Sequence, residues 1–212
     1  MAQYEDEEQV EALKKWWREN WKALAAGLVI GVGGIVGWEG WKTHQVESAA
    51  EASRLYEELG DALEADAIEQ ADALAGQLKL DHADSPYAAQ GALAMARHLV
   101  EHGELAAADE RLNWVITRSG DDGLRRIARL RRARVLWSQD KVSDALKLLQ
   151  TEDVGEFRAL YAELRGDIRL ASGEREQALS DYREAMDNLP PGAANRSLLQ
   201  RKLDDLADVA QS

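Results

Sequence analysis

His98 and His102 have the spacing of a pair of metal ligands. Four residues apart on a helix, two imidazoles share one face and can reach one ion. The intervening residues read His-Leu-Val-Glu-His, however, and not the His-Glu-x-x-His in which a glutamate serves as general base beside zinc. No further ligands cluster beside them in sequence, and the chain has no cysteine, which removes thiolate ligands, thiolate catalysis and disulfides together. The sequence therefore argues against a metal site. A second candidate is the run Arg125-Arg-Ile-Ala-Arg-Leu-Arg-Arg-Ala-Arg134. It has two readings: a surface for an acidic partner or anionic headgroups, or a solvated helix face paired with nearby Asp and Glu. The second is favoured, and surface pairs of that kind add little stability. A third candidate is the glycine cluster at Gly31, Gly33, Gly34 and Gly37. A dinucleotide loop needs G-x-G-x-x-G between a strand and a helix. Here Val36 stands where the last glycine belongs, and no strand precedes. No nucleophile is paired with a base and no catalytic carboxylate pair is identifiable. The expectation is a protein that is not an enzyme and carries no cofactor.

The elements that would position these residues are helices. Among 212 residues, 45% are apolar and 31% charged, ordinary for a globular chain. Long stretches rich in Ala, Leu, Glu, Arg and Gln favour helix, β-branched residues are few after residue 50, and the three prolines all fall late. The fold class expected is all-α. Net charge is −13, and from residue 43 onward 32 Asp and Glu face 21 Lys and Arg. A domain this acidic cannot neutralise phosphates, so nucleic acid is excluded as a partner.

The glycine cluster sits inside Trp21–Trp41, a stretch whose residues 23–38 are uncharged. A cleaved signal would begin with a short basic region and end in small residues. This chain begins Tyr4-Glu-Asp-Glu-Glu8 and the run ends Trp-Glu-Gly-Trp41. Its 21 residues make roughly 31 Å of helix at ~1.5 Å per residue, close to the hydrocarbon thickness. Trp16, Trp17 and Trp21 stand at one end and Trp38 and Trp41 at the other, as membrane interfaces favour. A single transmembrane helix is expected. Lys14, Lys15, Arg18 and Lys22 precede it, while only Lys42 and Arg54 follow closely. The positive-inside rule puts the N-terminus in the cytoplasm and the rest across the membrane, in the periplasm of a Gram-negative bacterium. Gly27 and Gly31, extended by Gly34, form one small-residue face; Gly33 and Gly37 form another. Such faces let a partner helix approach closely.

Downstream the chain repeats. In the register of a 34-residue tetratricopeptide unit, Gly166, Gly173, Ala178, Tyr182, Ala185 and Pro190 fill positions 8, 15, 20, 24, 27 and 32. One unit earlier, Ala133, Ala145 and Leu149 keep phase, with Asp140 in place of the turn glycine. Earlier still, Ala96, Gly103, Ala108, Leu112 and Val115 do so again, after a Ser85-Pro86 helix start. Val46–Leu63 and Ala67–Leu80 read as a helical pair without the consensus, a cap or a stalk. Asn195–Val209 is an amphipathic stripe suited to cover a solenoid end. The organisation expected is residues 1–20 cytoplasmic, 21–41 transmembrane, 42–85 stalk or capping pair, 86–192 three repeat units and 193–212 a capping helix. The concave face of such repeats comes from the first helix of each unit. That gives Leu93, Arg97 and Val100, then Ile127, Leu130, Arg134 and Trp137, then Leu160, Glu163, Asp167 and Leu170 as a protein-binding groove.

Gln9-Val-Glu-Ala12, the glycine-rich span ending Gly37-Trp38, His44-Gln-Val46 with Ser48-Ala49, Leu130-Arg-x-Ala-Arg-Val135 and Leu164-Arg-Gly166, over essentially the whole chain, resemble the YfgM family. The resemblance implies an inner-membrane protein with one N-terminal span and a periplasmic domain. It implies association with the SecYEG translocon and the periplasmic chaperone PpiD, and a part in handing over unfolded secreted proteins. It also implies a second possibility, that the cytoplasmic segment restrains a stress-response regulator. It supplies no catalytic residues.

Overall fold

The structure is a computed structural model that describes residues 2–209, without the side chains of 2–9, 12, 23, 24 and 207–209. It is all-α. The chain divides into two units, residues 1–50 and residues 51–212. Helix α1 runs Ala2–Glu64 and so contributes to both. Then follow α2 (Ile68–Asp81), α3 (Pro86–Glu101), α4 (Leu105–Arg118), α5 (Asp122–Ser138), α6 (Val142–Leu149), a short 3₁₀ turn at Gly155–Phe157, α7 (Arg158–Ala171), α8 (Arg175–Asp187) and α9 (Arg196–Val209).

In the first unit α1 is bent. Leu13–Lys22 and Ala25–Glu64 meet at 49°. Among the described residues no single straight helix is long and apolar enough to cross a membrane; these two segments pass that test only together. Leu28, Val29, Ile30, Val32, Ile35, Val36 and Trp38 are each more than half exposed. Trp38 and Trp41 pack ring to ring at 5.2 Å.

The second unit is a series of helical hairpins joined by one recurrent turn. α3 and α4, α5 and α6, and α7 and α8 close at Gly103, Asp140 and Gly173, all with positive φ. The last stretch of α1 and α2 close in the same way at Asp66. In each, the residue after the positive-φ position donates its N–H to a carbonyl five residues back: Ala67 to Ala62, Glu104 to Leu99, Lys141 to Leu136 and Glu174 to Arg169, at 2.8 to 2.9 Å. The positive-φ residue itself donates to the carbonyl three back. This double bond set is the Schellman ending, which satisfies carbonyls that a helix end would otherwise strand. Glycine enters the left-handed region without a Cβ penalty, and aspartate tolerates it better than most. The helical pair without consensus residues therefore uses the same turn. Leu59, Ala71, Ala75 and Leu78 are buried where the other units bury Ala96, Ala108, Leu112 and Val115.

Four buried clusters follow one another along the chain and share helices. Leu55, Leu59 and Leu78 meet Met95; Leu93 and Leu99 meet Leu112 and Val135; Leu130 and Leu136 meet Leu149 and Ile168; Tyr182 meets Leu199 and Leu206. Each hairpin covers its neighbour, as a solenoid core requires. Caps mark the starts of two helices. The Ser85 hydroxyl accepts from the Tyr87 N–H ahead of Pro86, and the Asp121 carboxylate from the Leu124 N–H.

Candidate functional site

The small residues at positions 8 and 20 bring paired helices close, and a pocket remains between α3, α4 and α5. Its volume is about 410 Å³. Ala96, Val100, Leu105, Leu112 and Val135 make its apolar surface, and Arg97, Glu101, Arg131, Arg134 and Ser138 its polar one. Arg97 is held by Glu101 through a 2.8 Å hydrogen bond from Nε. Burial, with the charges of Arg134 and Arg97 added, pushes the Arg131 guanidinium below its ordinary range. Three like charges face one apolar cavity, with a single carboxylate among its lining residues. An anionic group entering there gains from the excess of positive charge.

The groove residues expected from the repeat register divide into three sets. Arg97, Val100 and Arg134 line this pocket. Leu93 and Leu130 are buried in the core between hairpins; Ile127, Trp137, Leu160 and Leu170 are partly buried against those clusters. Glu163 and Asp167 meet α9. Lys202 Nζ donates to Glu163 at 2.9 Å and to Asp167 at 2.7 Å, and Asn195 donates to Glu163 at 3.1 Å. A helix following the last hairpin therefore occupies the face that a next repeat would cover. Sequence reasoning missed Arg131, one position outside the register used. The stripe Arg131, Arg134, Val135, Ser138 is itself legible as an i, i+3, i+4, i+7 face.

Four arginines of the run are paired within the chain. Arg125 pairs with Asp122 and the Ser119 carbonyl; Arg126 with Asp153 at 2.7 Å; Arg129 with Asp153; Arg132 with Asp109 at 2.6 Å and Asn113 at 2.7 Å. Arg126 and Arg129 tie α5 to the loop before α7 and Arg132 ties it to α4, while Arg125 braces the start of α5 against the end of α4. Arg131 and Arg134 are exposed and line the pocket instead.

In the first unit Trp16, Trp17, Trp21, Trp38 and Trp41 are all about half exposed or more. A Cβ built at Gly27, Gly31, Gly33, Gly34 or Gly37 meets nothing within 4 Å.

His98 and His102 stack at 4.0 Å between ring centroids, and the fold brings Asp66 to both of them. That carboxylate lies 32 residues from His98 in sequence, so no third ligand stands beside the histidines in the chain.

Residues 14–208 match the model of a tetratricopeptide repeat-like domain family. Three curated relatives carry the name ancillary SecYEG translocon subunit. The one from Escherichia coli (strain K12) is 34% identical, covering 98% of this chain and 100% of the relative. That from Haemophilus influenzae (strain ATCC 51907 / DSM 11121 / KW20 / Rd) is 34% identical, covering 87% and 90%. That from Neisseria gonorrhoeae (strain ATCC 700825 / FA 1090) is 27% identical, covering 97% and 99%.

Proposed function

The chain belongs to the YfgM family of tetratricopeptide repeat-like proteins, and from that membership we propose that it is a non-enzymatic, membrane-anchored adaptor of the Sec translocon. α1 anchors it in a bacterial inner membrane. The exposed apolar side chains of residues 28–38 support this, because water cannot solvate a face of that extent without large cost and lipid can. The straight part of the span, residues 25–41, is roughly 26 Å of helix at ~1.5 Å per residue. Trp21 and Lys22 then lie beyond the bend, at the cytoplasmic interface. The excess of Lys and Arg before the span orients the repeats toward the periplasm.

The observation that carries the adaptor reading is the pocket between α3, α4 and α5. Its apolar wall and the exposed Arg131 and Arg134 on its lining suit an extended segment of a partner that bears an apolar side chain next to a carboxylate. The partners are SecYEG, the chaperone PpiD and unfolded secreted chains, and the activity is handover of the last of these. A photo-crosslinking residue at Val100, in membranes holding the inserted protein, tests this. Capture of a translocon subunit, PpiD or a secreted chain, lost on Arg131→Glu with Arg134→Glu, is the expected result. Correctly inserted protein that captures none of the three overturns it.

A further inference from the structure

We propose that Asp66, His98 and His102 form a site for a divalent first-row transition metal ion, which fastens the α1–α2 turn onto α3. One ligand atom from each lies within 4.8 Å of the other two. The Asp66 carboxylate oxygen is 3.8 Å from Nε2 of His98 and 3.8 Å from Nε2 of His102. Ligand atoms around a tetrahedral ion with bonds of about 2.0–2.1 Å stand about 3.3 Å apart. Each Asp66 contact exceeds that by about half an ångström, and the two imidazole nitrogens, within 4.8 Å of each other, converge on one ion by rotation of the exposed His102 ring.

The far nitrogen of His102 is also supported. His102 Nδ1 lies 2.9 Å from the His98 carbonyl oxygen. A carbonyl only accepts, so that nitrogen donates, which leaves Nε2 as the nitrogen available to bind an ion. A backbone carbonyl fixing the far nitrogen is the usual second support of a metal-bound imidazole. His98 is largely buried while Asp66 and His102 are open to solvent, so an ion has access from one side. Two imidazole nitrogens and one carboxylate oxygen suit zinc, copper or nickel and are too few oxygens for calcium or magnesium. Water completes the coordination. The neighbouring Glu101 is held by Arg97 and does not join. Bound ion would join the first two hairpins of the 51–212 unit, so the stability of that end would follow metal supply.

The test uses the full chain in detergent micelles after chelator treatment, titrated with zinc ion by calorimetry and followed by thermal unfolding. One zinc per chain and a rise in Tm are expected, with calcium giving neither. His102→Gln should lower zinc affinity at least about ten-fold. Asp66→Gly should do the same while keeping the left-handed turn, so its metal-free Tm should be no lower than that of the parent. Absence of stoichiometric zinc binding, or a zinc-induced Tm rise that survives either substitution, overturns the proposal.

Discussion

The ring of Tyr182 occupies the space where Gly166 would carry a side chain. A Cβ at Gly166 would lie 2.6 Å from Tyr182 Cε1 and 2.7 Å from Cδ1. The ring has little freedom to retreat: its hydroxyl donates to Asp167 at 2.7 Å, and Lys202 sits over its face at 5.5 Å. α7 and α8 can pack at this distance only because position 8 lacks a side chain. Gly166→Ala gains about 1 kcal/mol of helix propensity and loses about 1–3 kcal/mol to overpacking. The expected outcome is net destabilisation of up to about 2 kcal/mol, read by denaturant unfolding. Gly76→Ala is the control. It lies within α2 with open space around its Cβ, so the same change should stabilise by about 0.5–1 kcal/mol.

The recurrent turn yields an opposite pair of changes. Gly103 (φ 79°) and Asp140 (φ 59°) hold the same place in successive hairpins. Gly103→Ala forces a Cβ into the left-handed region and should cost about 1–2 kcal/mol. Asp140→Gly removes the Cβ from that conformation, relieves part of the same cost and should raise Tm slightly. Equal and small effects at both positions would mean that the turns are not equivalent.

How far these features were readable in the sequence depended on whether their cause was local. Gly166, Gly173, Ala178 and Tyr182 announce their hairpin because a close helix crossing demands small residues at fixed places. Asp140 kept phase without the glycine, since aspartate also enters the left-handed region. The Asp66 hairpin was unreadable by consensus: position 8 holds Leu59 and position 24 holds Ala75, the large and small residues exchanged, so packing volume is kept while the pattern is lost. The site residues were less legible. Which first-helix side chains stay open depends on the neighbouring hairpin, and α9 takes up Glu163 and Asp167 through Lys202, a contact across 39 and 35 residues.

That contact gives a pH dependence. Burial lowers the affinity of Lys202 for its proton, but hydrogen bonds and charge attraction from Asp167 and Glu163 outweigh it and raise its pKa above the ordinary value. Burial, and the hydrogen bond to Asp167, also hold the Tyr182 phenol well above its ordinary range. Unfolded, the two groups titrate near about 10.4 and about 10. Both folded values are raised, so the stability they confer is complete below about pH 10 and is lost as pH rises through the folded values. Denaturant midpoints followed from pH 8 to 11 should fall at the upper end. Lys202→Gln should flatten that decline and lower the midpoint at pH 8; a decline of unchanged steepness would assign it to other groups.

The glycines of α1 allow a cleaner separation than the repeats do, because they support nothing within this chain. A Cβ at Gly27 or Gly31 meets no atom within 4 Å, and replacing glycine by leucine in a helix raises both helix propensity and apolarity. Gly27→Leu and Gly31→Leu should therefore leave expression, insertion and the fold of the repeats unchanged. Any loss they cause must come from a surface outside the chain. On the proposed anchor that surface is a helix of the translocon, packed closely along Gly27, Gly31 and Gly34. Purification from mild detergent should recover the partner complex with the parent protein and several-fold less of it with the double variant. Arg131→Glu with Arg134→Glu should leave that membrane complex in place and remove only the contacts captured at Val100. If the complex survives both glycine changes in full, those glycines face lipid, and association rests on the repeats.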